Sequence, residues 1–212
     1  MKITIIDCGS GNLRSAQKAF EKVSNNLYKN TNVTISSKVE DLENSNFIVL
    51  PGVGSFSDFI NGINKINGML EALNYFVLKK GIPFLGICVG MHILATKGYE
   101  NIETNGLNWI CGSVRKIKTK PNLPVPQMGW NNLIIKKNHP IVKNISNNDH
   151  TYFVHSYFFD CNDDSQVIAC VDYGFSINAI IVKDNIIGMQ FHPEKSQEVG
   201  LDLISNFLLW DK

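Results

Sequence analysis

The stretch Pro83-Phe84-Leu85-Gly86-Ile87-Cys88-Val89-Gly90-Met91 decides the fold. It reads as a short buried strand over residues 83–87 that breaks at Cys88 into a helix running through Ile93 and Leu94. The flanking glycines Gly86 and Gly90 let the backbone turn sharply from strand to helix, lifting one side chain above the sheet edge. A thiol at that corner stands at a helix N-terminus, where the dipole favours thiolate over thiol. The plainer alternative is a buried structural cysteine in a glycine-rich loop. The nucleophile reading requires a base from elsewhere in the chain.

Upstream, residues 3–6 form a buried strand, residues 7–12 a turn, and Leu13, Ala16, Phe20 and Val23 recur at helical spacing behind Asn12 as N-cap. A strand, a glycine turn and a helix at the outset predict a doubly wound α/β sheet. Gly9-Ser10-Gly11 lacks the third glycine of a dinucleotide fingerprint and the Gly-Lys-Ser/Thr of a P-loop, so it reads as a tight turn. The Asn-rich residues 25–32 read as a loop, residues 33–35 as a strand, and Asp41-Leu42 as a short helical turn. Residues 47–50 are wholly apolar, as a central parallel strand should be. They end in Pro51-Gly52-Val53-Gly54-Ser55-Phe56, where two glycines around Val53 let its peptide reorient and offer an N–H to an oxyanion. A plain turn before a helix is the alternative there. Met69, Leu70, Leu73, Phe76 and Val77 mark one helix that Gly81 ends.

Downstream, residues 106–118 carry strand-like material, and Pro121, Pro124 and Pro126 mark an extended connection into Met128-Gly129-Trp130-Asn131. Residues 133–135 read as a strand and residues 152–159 as one strongly β segment. Residues 177–182 and 186–191 form a hairpin across Lys183-Asp184-Asn185. The last helix spans residues 199–210, with Leu203, Ile204, Phe207 and Leu208 on one face. There is no internal repeat and no linker. The pattern describes a flavodoxin-like, mostly parallel sheet with an added antiparallel section, in one domain over residues 1–212.

Twenty basic against nineteen acidic residues leave a net charge of +1, which implies no basic face for nucleic acid. The five cysteines, Cys8, Cys88, Cys111, Cys161 and Cys170, show no zinc-ligand or Cys-x-x-Cys spacing, so no metal is expected and a reducing compartment suits them. The N-terminus lacks a signal-peptide core and no apolar run reaches membrane-span length, which predicts a cytoplasmic protein.

Among five histidines, His192 follows a strongly apolar strand and precedes Pro193-Glu194. Proline fixes the backbone so that Glu194 is placed to accept a hydrogen bond from the imidazole, the orienting role in a nucleophile–base–orienter triad. Alone, such a histidine reads as a solvated turn residue; with the cysteine elbow and the glycine loop it supplies the missing base. The three motifs Pro51-Gly52-Val53-Gly54, Gly86-Ile87-Cys88-Val89-Gly90-Met91 and Gln190-Phe191-His192-Pro193-Glu194 together resemble the triad-type, class I glutamine amidotransferases. Ile6-Asp7 with Gly11-Asn12-Leu13-Arg14-Ser15, Met128-Gly129-Trp130-Asn131, Tyr152-Phe153-Val154-His155-Ser156-Tyr157 and Lys195-Ser196-Gln197 are similar to the subfamily of glutaminase subunits of imidazole glycerol phosphate synthase. The resemblance covers essentially the whole chain.

The resemblance implies that Cys88 attacks L-glutamine to give a thioester and ammonia, that His192 shuttles the proton, and that Glu194 holds His192. It implies an oxyanion hole from the N–H groups of Val89 and, after a peptide flip, Val53. Gly54, His92, Glu100, Ser156 and Tyr157 would seat glutamine, without a cofactor. Ammonia would pass to a (β/α)8-barrel cyclase, making a heterodimer that yields imidazole glycerol phosphate and aminoimidazole carboxamide ribotide in histidine biosynthesis. Asn12, Trp130, Tyr152 and Lys195 match interface positions. The family usually has Gln where this chain has His92, whose imidazole is shorter and can carry charge, and His where this chain has Gln127, near the interface. Three readings compete: supply of ammonia to another acceptor, as in nucleotide-sugar amidation; a regulatory subunit without catalysis; and a free-standing cysteine hydrolase acting on peptides or γ-glutamyl compounds, which the matches to the glutamine seat disfavour. The intact Cys88, His192 and Glu194 argue against silence.

Overall fold

The computed structural model describes residues 1–9, 12–118 and 123–210. The chain alternates β1 (Lys2–Ile6), α1 (Leu13–Leu27), β2 (Asn32–Ser36), β3 (Phe47–Gly52), α2 (Phe56–Lys65), α3 (Met69–Leu73), β4 (Phe84–Cys88) and the single-turn α4 (Val89–His92). Strands then dominate: β5 (Lys97–Glu100), β6 (Ile102–Asn105), β7 (Gly112–Lys116), β8 (Gln127–Asn132), β9 (Ile134–Ile135), β10 (His150–His155), β11 (Tyr157–Cys161), β12 (Val167–Asp172), β13 (Ser176–Lys183) and β14 (Ile186–Met189), closed by α5 (Gln197–Leu208).

Eight strands form the main sheet in the order β2-β1-β3-β4-β14-β13-β12-β9. The first five are mutually parallel and the last three run antiparallel. The expected fold class is therefore observed. Its consequence for function is geometric: β3, β4 and β14 are parallel neighbours, so their C-terminal ends, and the loops carrying Val53, Cys88 and His192, open at the same sheet edge. β1, β3, β4 and β14 are buried almost throughout, which explains their near-continuous apolar sequences. On one face α1 and α5 pack through Phe20 and Phe207, whose ring meets Phe47 edge-on at 5.3 Å.

Several local expectations change. Helix α1 runs through the Asn-rich segment to Leu27, because Ser24 is buried and the Tyr28 N–H returns to the Ser24 carbonyl. The expected helix over residues 69–77 is α-helical only to Leu73 and then winds as a π-helix over Asn74–Lys79. The wider turn fits its partners: Asn74 accepts from the Trp109 indole at 2.9 Å, and the Asn185 amide donates to the carbonyls of Val77 and Ile82. Gly81, at φ +68°, ends the segment as expected. The elbow helix stops at His92, and residues 93–94 form a turn. Trp109 and Ile110 are buried but lie outside any strand, and only Gly112–Lys116 of residues 106–118 pairs. Of residues 133–135, Leu133 is buried outside the strand. The strands β5, β6 and β12 have no counterpart in the sequence reading. Helix α5 begins at Gln197 and ends at Leu208. Ser10, Gly11 and Pro121 lie outside the described residues; Val125–Pro126 is a cis peptide.

The change that matters most is at residues 152–159. This run is two strands in different sheets: β10 pairs with β8, and β11 joins β7, β5 and β6. The break falls at Ser156, whose carbonyl accepts from the Ile117 N–H at 2.9 Å. Aromatic and β-branched residues continue through the break, so composition alone cannot show it.

Candidate active site

Cys88 ends β4 and caps α4 with φ +55° and ψ −110°, a conformation that costs a non-glycine residue about 1–3 kcal/mol. Such strain persists because the surroundings fix it. Gly52 of β3 pairs with Cys88, and the elbow lies against β3 so closely that a Cβ at Gly90 would stand 1.8 Å from the Leu50 carbonyl oxygen. The side chain of Cys88 is buried, and its Sγ lies 3.9 Å from the carbonyl of Val154 on β10. Val89 opens the helix, so its N–H has no intrahelical acceptor.

His192 follows β14 and is buried. Its Nδ1–H donates to Glu194 Oε1 at 2.9 Å, and the imidazole also hydrogen-bonds the Cys88 side chain. Burial pulls the imidazole pKa down, but the hydrogen bonds and negative charges of Cys88 and Glu194 more than offset this and raise it to about 10. The imidazole is therefore held protonated between the Cys88 sulfur and the Glu194 carboxylate. The other Glu194 oxygen is buried without a hydrogen-bond partner.

A cleft of about 360 Å³ opens on Cys88, Val89, His92 and His192, and its other walls carry Val53, Gly54, Glu100, Ser156, Tyr157 and Lys195. The structure thus gathers every sequence-derived candidate for the oxyanion hole and the glutamine seat around the thiol. Gly54, at φ +92°, gives the peptide after half-exposed Val53 a conformation open to few other residues. Glu100 accepts the Phe56 N–H through Oε2 at 2.8 Å, fastening the start of α2 and the loop before it. Burial and then the Glu100 charge raise the Tyr157 phenol pKa.

Burial fixes the state of the two residues that depart from the family pattern. His92 is fully enclosed, with Nε2 2.7 Å from Gln190 Oε1, and burial lowers its pKa to about 4 against the opposing hydrogen bond, so it is neutral near pH 7 rather than charged. Gln127, at the start of β8, is buried against His155 Nε2 at 3.0 Å. His155 donates from Nδ1 to the Tyr157 carbonyl at 2.8 Å, and burial holds its pKa at about 4. With that single ring proton committed, Nε2 must accept, so Gln127 presents its NH2. The sequence assigns no role to His155 or Gln190; a histidine between two aromatic-rich strands carries no local signal of its partners.

The candidate partner residues lie outside the cleft, apart from exposed Lys195. Trp130 on β8 and Tyr152 on β10 face each other across the two-stranded sheet, centroids 5.7 Å apart, with Trp130 47% exposed and Met128 beside it 66% exposed. Asn12 is exposed and caps α1 by accepting the Ser15 N–H. A larger open cleft at Tyr99, Arg115 and Lys116 holds none of the candidate residues. All five cysteines are free, and no group of metal-ligating residues occurs among the described residues. No helix among them is long and apolar enough to cross a membrane.

Comparison with known proteins agrees with this architecture. The sequence matches the family model of glutamine amidotransferase class-I over residues 4–210. It is 47% identical over 214 residues, covering 99% of both chains, to the imidazole glycerol phosphate synthase subunit HisH of Brucella suis biovar 1, and equally to that of Bradyrhizobium diazoefficiens. The corresponding protein of Cereibacter sphaeroides is 44% identical over 211 residues, again covering 99% of both. Among solved structures, a glutamine amidotransferase superposes with TM-score 0.71 at 16% identity, over 93% of this chain and 94% of that one. A glutamine amidotransferase from Thermotoga maritima superposes with TM-score 0.64 at 17% identity, over 92% and 76%. The chain belongs to the class I glutamine amidotransferases, and within them to the HisH glutaminase subunits of imidazole glycerol phosphate synthase.

Proposed function

We propose that the chain hydrolyses L-glutamine to L-glutamate and ammonia at Cys88 and delivers the ammonia to a (β/α)8-barrel cyclase subunit in histidine biosynthesis. The observation that carries this reading is the convergence of the strained Cys88 elbow, the His192–Glu194 pair and the Val53–Gly54 loop on one cleft of glutamine size. The Cys88 thiolate adds to the side-chain carbonyl carbon, and the oxyanion is held by the N–H groups of Val89 and Val53. The C–N bond breaks as the His192 imidazolium gives its proton to the leaving nitrogen, releasing ammonia and leaving a thioester. Water then adds, with His192 taking its proton, and the C–S bond breaks to return the thiolate and release glutamate. Glu100, with one carboxylate oxygen engaged by the Phe56 N–H, offers the other to the substrate ammonium. Neutral His92, held by Gln190, presents a dipole rather than a charge to the same cleft. Gly54, Ser156 and Tyr157 complete the seat.

Exposed Trp130 stacked edge-on against half-buried Tyr152, with Met128, Lys195 and Asn12, offers the aromatic and cationic chemistry of a protein interface core. Glutamine hydrolysis by the chain alone is expected at near-background rate, rising strongly when the cyclase and its nucleotide ligand are added. An equally high rate without any partner would remove the partner-dependent reading. Complementation of a histidine auxotroph that lacks this glutaminase identifies the acceptor: restored growth assigns histidine synthesis, and failure with an active glutaminase in hand points to another synthase.

The pH profile of kcat tests the protonated His192. The folded pKa of His192 is raised, so the proton needed by the leaving nitrogen is present through neutral pH and lost as pH rises through about 10. The alkaline limb is expected near that value. Glu194→Gln removes one of the charges that hold the proton, and the limb is expected to move to lower pH; a limb that stays in place would exclude Glu194 from tuning His192.

A further inference from the structure

Ser196 is absent from the chemistry above, yet it is almost wholly buried, at 1% exposure, directly behind the base. Three hydrogen bonds close a ring through it. The His192 N–H donates to the Tyr152 carbonyl at 3.0 Å, the Tyr152 N–H donates to Ser196 Oγ at 3.0 Å, and the Ser196 hydroxyl donates to the His192 carbonyl at 2.7 Å. Two β-strand neighbours would exchange both backbone bonds directly. Here one is direct and the other is relayed by a hydroxyl, because the chain turns away from β10 through a 3-10 turn at Pro193–Lys195 and has no extended residue left to pair. The corner is strained as well: Gln197, immediately after Ser196, has φ +51°.

We propose that Ser196 is a positioning residue for His192, fixing the backbone from which the imidazole reaches Cys88. The inference rests on the glutaminase reading for its consequence in turnover, while the geometry concerns only Ser196, His192 and β10. The same ring fastens the base to the strand that carries Tyr152, half-buried against exposed Trp130, so the catalytic histidine and the proposed docking strand share a backbone clamp. The hydroxyl serves as both acceptor and donor, which alanine cannot do.

The test uses the full chain in complex with its cyclase. Ser196→Ala is expected to lower kcat for glutamine about 10- to 100-fold, the cost of a misplacement on the ångström scale, with KM for glutamine changed less than about twofold. Ser196→Thr, which keeps the hydroxyl, is expected to recover most of that loss. Thr151→Val is the control: it removes a neighbouring hydroxyl that is equally buried but has no hydrogen-bond partner, and turnover should stay at the wild-type level. Alkylation of Cys88 by iodoacetamide across pH reads the Cys88–His192 pair without glutamine, and its profile should move in Ser196→Ala. Should the alanine variant not fold, Ser196→Cys, with similar volume and only a weak donor, is expected to show the same loss. Wild-type kcat in Ser196→Ala, an equal loss in Thr151→Val, or an unmoved alkylation profile overturns the assignment. A wild-type complex that alkylates as described yet does not hydrolyse glutamine would refute the glutaminase reading while leaving the positioning role to the alkylation test.

Discussion

Cys88→Ala is expected to abolish glutamine hydrolysis, lowering kcat on the order of 10⁴- to 10⁶-fold, the scale seen when a covalent nucleophile is removed from a site that otherwise remains intact. No other side chain lining the cleft offers a thiol, and all of the proposed bond changes pass through its sulfur. The fold should survive. The sulfur makes one long contact with the Val154 carbonyl and a hydrogen bond with the His192 imidazole, which Glu194 still holds, and removing a single atom from a site that already opens on a cleft costs little packing. A thermal melt close to wild type, with binding to the cyclase retained, therefore accompanies the loss. The same substitution should prevent labelling by a glutamine-like electrophile. Full turnover in Cys88→Ala would sink the central assignment, because no alternative nucleophile in the cleft is comparably placed.

Gly90→Ala is expected to produce the second large effect, and through the backbone. An added Cβ would sit 1.8 Å from the Leu50 carbonyl oxygen, and neither atom belongs to a flexible side chain. Relief requires α4 to lift from β3, which disturbs the pairing of Gly52 with Cys88 and the glycine contact between Gly86 and Gly90. Overpacking of rigid core typically costs about 1–3 kcal/mol and more where backbone must move; a loss of about 3 kcal/mol would lower Tm by about 6–12 °C in a chain of this size. Because the movement is centred on the elbow, Cys88 alkylation should also slow in whatever fraction remains folded. Differential scanning calorimetry with an alkylation assay reads both. A Tm within about 2 °C of wild type would show that the elbow is not held by this contact.

Much of this was legible in the chain because it is written in local patterns. The apolar runs of β3 and β4 announce a buried parallel sheet, and glycines on both sides of Cys88 announce an elbow whatever surrounds it. His192-Pro193-Glu194 places imidazole and carboxylate two residues apart, so their hydrogen bond follows from backbone geometry over three residues. Where partners are distant, the same reading fails. The run of residues 152–159 looks like one strand because side-chain preference is alike on both sides of Ser156; what divides it is that β8 and β7 pair with its two halves in separate sheets. Residues 69–77 look like one helix because the apolar spacing continues, while the π turn answers to Trp109 and Asn185.

The sequence by itself determined which residues are chemically able to act: a thiol at a helix start, an imidazole with its carboxylate, and loops free to turn. That they stand together follows from the tertiary structure alone. Strand order is the reason: β14 returns from the far end of the chain to lie parallel beside β4, so His192 emerges at the edge where Cys88 already stands. Burial is the other. Enclosure keeps His92 and His155 neutral, while charge and hydrogen bonding keep His192 protonated, although all three are the same amino acid. A side chain's pKa and its neighbours are properties of the folded environment, set by contacts that no local stretch of sequence contains.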